Sequence, residues 1–161
     1  MVKFELLSQN LLLLLNELKK NANFVKYIFY NDENPLLNPI VQNPSVLTES
    51  GLLAPSPFNT AIADCSQVRV YYLDIDIDKN VDDCVLIFDV VVAKKLWLIN
   101  NGKPAVRPYA IAQEIINTLQ GKSIQTVGTL DFQRMKHMWV NEQFDAVRLY
   151  ARMISFNGSE S

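Results

Sequence analysis

One histidine, two cysteines and five glycines are all that 161 residues supply of three residue types on which catalysis, metal capture and phosphate loops most often depend. Cys65 and Cys84 form no CxxC and stand beside no histidine, which argues against a zinc module and makes free thiols the default. No GxSxG or HExxH occurs. Charge of one sign is lacking too. Fifteen Lys and Arg against seventeen Asp and Glu give a net charge of −2, so no bulk attraction to nucleic acid or anionic lipid is built in. The leucine run Leu11 to Leu15 is framed by Asn10, Asn16 and Glu17 and is too short to span a bilayer.

What remains is ample apolar material, 49% of the residues, in a chain long enough to bury about two-thirds of its surface around one core. A single domain over residues 1–161 is expected, with 157–161 as a frayed tail. Phe4, Leu7, Leu11, Leu14, Leu15 and Leu18 recur at helical spacing, predicting an amphipathic helix that ends near Lys19 and Lys20. Phe24 to Tyr30 is aromatic and β-branched, which favours a short strand or a continuing buried segment. From Asn31 to Ala63 five prolines interrupt every period, yet the stretch carries too many apolar residues for a solvated linker. It reads as an extended loop or arm, with Leu36, Leu37, Ile40, Leu52, Leu53 and Phe58 as candidate contacts along its own surface or a neighbouring subunit.

Further on, Val85 to Ala93 is apolar on both faces except for Asp89, the pattern of a central strand covered on both sides. Asn100 to Pro104 is a turn. Pro108 to Gln120 reads as a second helix with Gly121 just past its end. Short strands follow around Gly128–Phe132 and over Ala146–Ser155, with Gln133–Asn141 left without a type. The fold class is α+β, a mainly antiparallel sheet of about four to five strands packed by two helices, with the long Pro-rich arm.

The acidic run from Asp74 to Asp89 admits two readings. As an EF-hand loop it needs glycine at the sixth position and a bidentate Glu at the twelfth. Starting at Asp74 those places hold Lys79 and Val85, and starting at Asp78 the glycine place holds Asp83. As a hairpin, Tyr71, Leu73, Ile75 and Ile77 alternate with Asp74, Asp76 and Asp78, giving a strand Val68 to Ile77, a turn near Lys79 to Asp82 and a strand from Cys84 onward. The hairpin is the better fit, with Asp74, Asp76, Asp78, Asp82 and Asp83 as an exposed acidic face. Same-face carboxylates about 7 Å apart can bridge an ion, but a metal-free stripe is the expectation.

Other chemistry is sparse. Gly121-Lys122-Ser123 resembles the end of a P-loop, but Ile116 holds its first glycine position and the motif sits at a helix C-terminus, the wrong end for phosphate. His137, flanked by Met135, Met138 and Trp139, reads as packing or surface. A metal-dependent hydrolase or nuclease would have to recruit it with Asp74, Asp76, Asp131 or Asp145. No catalytic residue, metal ligand or cofactor is expected.

Leu96-Trp-Leu-Ile99, Gly102-Lys103, Arg107-Pro-Tyr109, Glu114-Ile-Ile116, Gly121-Lys-Ser-Ile124 and Gly128-Thr-Leu130 resemble stretches of small structural proteins encoded by tailed phages. By element order, residues 66–155 and the first helix are similar to tail terminator and head–tail neck proteins. The Pro-rich stretch is longer than the first connection usual there. The resemblance implies a non-enzymatic virion protein, assembled in the host cytoplasm, that forms a ring, commonly a hexamer, joining the tail tube to the head-side connector. It implies DNA passing through without specific binding, no membrane contact, and the acidic face turned to the lumen or to a stacked ring. Capsid decoration or a baseplate position is the alternative within the virion.

Overall fold

The computed structural model describes residues 3–58, 63–78 and 84–154. Helices α1 (Phe4–Lys19) and α2 (Ala22–Phe29) lead into the Pro-rich segment, which contains a 3-10 turn at Pro35–Leu37, the single-turn helix α3 (Val46–Glu49) and the rib β1 (Leu53–Ala54). Strands β2 (Ser66–Asp74) and β3 (Val85–Ala93) follow, then the small hairpin β4 (Leu98–Asn100) and β5 (Pro104–Val106), helix α4 (Arg107–Leu119), and strands β6 (Ser123–Ile124), β7 (Gly128–Trp139) and β8 (Phe144–Ile154). The main sheet has the order β1-β2-β3-β8-β7-β6, with β1 parallel to β2 and every other pair antiparallel. The chain is therefore α+β.

Strand β3 lies at the centre because both of its faces are apolar, and all its residues from Leu86 to Ala93 are buried. On one face, Leu86, Phe88, Val90 and Val92 join Leu14, Leu15 and Leu18 of α1, Phe24, Val25 and Ile28 of α2, and Ile111, Ile115 and Leu119 of α4 in one core. We call this the helix face. A buried leucine or phenylalanine contributes about 1.5–3 kcal/mol by leaving water, so this layer dominates the stability of the fold.

Of the two readings open for Phe24–Tyr30, a short strand or a continuing buried segment, the strand does not form: Phe24–Phe29 is helical and Tyr30 caps its end. The Asn21 side chain accepts the Phe24 N–H at 3.0 Å, capping α2, and donates to Glu114 Oε2 and Thr118 Oγ1 of α4, both at 2.8 Å. Phe24, Val25 and Ile28 then fall on one helical face toward the core. Helix α4 begins one residue before Pro108, which takes the second helical position, and Gly121 follows with φ 68°, a left-handed conformation that glycine adopts without strain. The sheet exceeds the expected strand count because β1 and β6 are ribs of two residues each.

The segment after α2 lies on the body of the protein. Leu47 and Leu53 are in the core, and Leu36, Val41, Val46 and Leu52 pack against it. Backbone and side-chain bonds fasten the segment. The Lys26 ammonium donates to Leu36 O at 3.2 Å, the Tyr30 hydroxyl to Pro39 O at 2.8 Å, and the Leu36 N–H to Asn101 Oδ1 at 2.9 Å. Its main anchor is Arg107. That guanidinium is wholly buried and donates to the carbonyls of Leu96, Tyr27, Tyr30 and Asp32 at 2.5–2.9 Å.

Candidate functional site

Strand β2 stops at Asp74, three residues before the expected end. The pairing with β3 slips between Tyr72 and Asp74, and beyond that bulge the chain leaves the sheet. Asp74, Asp76 and Asp78 are all exposed, but only Asp74 belongs to a strand, so the three do not line one strand face. Asp76 Oδ1 accepts the Asp78 N–H at 3.3 Å, the local bond of a turn. Asp82 and Asp83 lie outside the described residues. Among the described residues no three or more His, Cys, Asp or Glu side chains are gathered in a way that holds a metal ion.

The inner part of β2 is buried on both sides, against the expected polar alternation. Its polar residues face a layer that the sequence reading did not assemble. Arg69, Asp89, Arg148 and Lys136 form one row across β2, β3, β8 and β7 on the outer face, opposite the helices. Asp89, only 6% exposed, accepts from Arg148 Nε at 2.7 Å and Nη2 at 2.9 Å, a two-pronged ion pair. The Tyr71 hydroxyl donates to Asp89 Oδ2 at 2.9 Å and accepts from Arg148 Nη2 at 3.0 Å. Burial, reinforced by the Asp89 charge, pushes the Tyr71 hydroxyl up to about 12, so it remains a donor at neutral pH. The Asp89 carboxylate raises the pKa of Arg148 above its ordinary value. Arg69 donates to Gln67 Oε1 at 2.6 and 3.2 Å, and Arg134 of β7 stacks over the Tyr150 ring at 4.2 Å. Asp89, the one polar residue in the apolar run of β3, is thus half of a structural ion pair.

His137 meets Asp145 at 2.7 Å and approaches the Trp97 ring at 6.2 Å. Of the acids that a hydrolase would recruit, Asp145 alone bonds to it among the described residues. Asp131 lies on the outer face in line with Arg152, and Asp74 sits at the far side of the sheet. Neither cysteine is in a disulfide, with Cys65 half-buried and Cys84 buried. Burial raises the Cys65 thiol, which keeps it protonated at neutral pH. The Gly121-Lys122-Ser123 turn works as a strut, because Lys122 Nζ reaches Glu17 of α1 at 2.9 Å.

The arm candidates separate into two groups. Leu53 is a core residue, Leu36 and Leu52 are half-buried against the core, and Phe58 packs on Phe144 with ring centroids 5.3 Å apart. Leu37 and Ile40 stand out, 72% and 62% exposed, and Ile40 lines a groove of about 400 Å³ together with Phe29, Tyr30, Val41 and Val46. A second groove of about 450 Å³ lies between α4 and β7, lined by Tyr109, Ala112, Ile116, Phe132 and Met135. Beside it, among the described residues, the stretch 133–139 of β7 pairs with β8 only, since β6 meets Gly128 and Thr129 and Gln120 bridges Leu130. On the opposite side of the sheet, among the described residues, β1 pairs with β2 at Val68 and Arg69 alone. Among the described residues both lateral edges are therefore partly open, a feature that isolated domains usually suppress.

The model of the YomW family matches residues 21–153. The chain belongs to the YomW family. This is a phage-associated family, and its span begins at Asn21, the cap of α2, and ends at Met153, next to last in β8. The YomW span thus contains the Arg107 anchor, the Asp89–Arg148 pair and both open edges, and α1 lies before it. No curated protein and no solved structure matches the chain.

Proposed function

We propose that this phage-associated protein is a non-enzymatic virion subunit that builds a ring of the tail terminator or neck kind at the head–tail junction. The observation that carries the reading is the pair of open edges on opposite sides of one sheet, since a subunit with two different unsatisfied edges repeats head to tail. Exposed Phe29, Leu37 and Ile40 add apolar surface for contacts with the tail tube or the head-side connector. The resemblance in element order supplies the location, and the phage association of the family agrees with it. In this role the protein is assembled in the host cytoplasm, and DNA passes through the ring without specific binding.

Native mass spectrometry and negative-stain microscopy of the purified protein, alone and with tail tubes, test this. A closed ring of fixed copy number, hexameric by the resemblance, is the expected result. A monomer at the highest soluble concentration, with and without tubes, overturns it.

A further inference from the structure

The two open edges differ in charge. The free stretch of β7 carries Arg134 and Lys136, both exposed, whereas β2 leaves the sheet through exposed Asp74 and Asp76. Pairing two β7 edges about a twofold axis sets Arg134 and Lys136 against their own copies, and pairing two β2 ends sets aspartate against aspartate. Like charges placed across neighbouring strands are destabilising, so both symmetric dimers are disfavoured. Only the heterologous combination places opposite charges together.

Strand direction permits that combination. Three successive antiparallel pairings, β2 with β3, β3 with β8 and β8 with β7, leave β7 antiparallel to β2. A second copy in the same orientation therefore presents its β2 antiparallel to the first copy's β7, continuing the ladder.

The covering ribs fix the stagger. Within one copy Asp74 is in line with Val85, Arg152 and Asp131, while Lys136 is in line with Arg148, four ladder positions further along β8. Sliding the second copy by those four positions sets its Asp74 opposite Lys136. The free part of its β2 then lies along the free part of β7, and β1 falls beyond the end at Trp139. Asp76, two residues after Asp74, comes to the level of Arg134. An even shift keeps each strand's faces matched. Four positions are about 13 Å at about 3.3 Å per residue, and the repeating unit of four strands is about 19 Å wide at about 4.8 Å each. The resulting strand tilt is about 35°, at the lower end of the range in which sheets close on themselves.

We propose that copies of this chain join head to tail through a staggered extension of the sheet, with the basic free edge of β7 receiving the acidic end of β2 from the next copy. This rests on the ring reading above and names its joint. It also moves Asp74 and Asp76 from a lumen-facing role to the contact between subunits.

The test uses two full-length variants. Arg134→Glu/Lys136→Glu makes both edges acidic, and Asp74→Lys/Asp76→Lys makes both basic. Each alone is expected to lose assembly, while an equimolar mixture restores it as rings with an even copy number in which the two chains alternate. Added salt should lower the wild-type ring fraction. Circular dichroism and urea unfolding that overlay the wild type show that each variant folds. If removing the Arg134 stack on Tyr150 disturbs folding, Lys136→Glu alone serves in its place. Rings formed by the single variants as readily as by the wild type overturn the joint and leave the ring reading standing. A mixture that remains monomeric overturns the charge pairing. A wild-type protein that is monomeric with and without tail tubes overturns both readings.

Discussion

On the helix face of β3, Leu86, Phe88, Val90 and Val92 are sealed by side chains from α1, α2 and α4, while one residue away on the outer face Asp89 is nearly as buried between Arg148 and Tyr71. The first layer is held by the removal of apolar surface from water, which has no direction and accepts many side chains of suitable size. The second is held by hydrogen bonds to charge, which have direction and fail if one partner is lost. A single strand thus presents a tolerant face and an exacting one. The tolerant face supplies most of the stability, and the exacting face fixes how β2, β3 and β8 align.

Breaking the helix face should have the largest effect. Phe88→Ala leaves a cavity at the centre of the core and should cost about 3–5 kcal/mol in urea unfolding. Arg148→Met attacks the outer face by leaving Asp89 buried without its cation, at a cost of about 3 kcal/mol. The double variant Asp89→Leu/Arg148→Met removes both charges and should recover most of that loss. A double variant less stable than Arg148→Met would instead mean that the pair contributes more than mutual neutralisation. Arg107→Lys keeps the charge but cannot reach four carbonyls with one ammonium, and about 2 kcal/mol should be lost.

The smallest effect lies outside both faces. Lys20, then Lys122, hold the Glu17 carboxyl below its ordinary value. A depressed carboxylate adds stability above its unfolded pKa, near 4.5, and that contribution disappears as pH falls through the folded value. Glu17→Gln should cost under about 1 kcal/mol at neutral pH. It should also shrink the stability difference between about pH 6 and pH 3, measured by thermal unfolding at each pH.

The helix face was legible in the sequence because its signals are local. The leucine spacing of α1, the doubly apolar β3, and the proline and glycine that bracket α4 each declare themselves within a dozen residues. The outer face was not, because its partners are distant. Asp89 and Arg148 are 59 positions apart, and nothing near either one points to the other. Strand β7 escaped recognition beyond Phe132 because an edge strand exposed on both sides has no burial to impose alternation. The stretch Phe24–Phe29 misled because side-chain type favoured a strand, whereas the Asn21 cap and the packing on α4 decided for a helix. Of the candidate site, the acidic run was visible but not the early end of β2, which depends on a bulge, nor the basic edge opposite.

The Arg107 anchor has a consequence for how the family can diverge. All four of its acceptors are main-chain oxygens, two at the end of α2, one at Asp32 and one at Leu96. Every amino acid carries that oxygen, so the grip is indifferent to which side chains lie around it. Only the positions of the following stretch that leave the core untouched gain freedom from this, so exposed Leu37 and Ile40 can be exchanged to suit a different partner without loosening the attachment at its root.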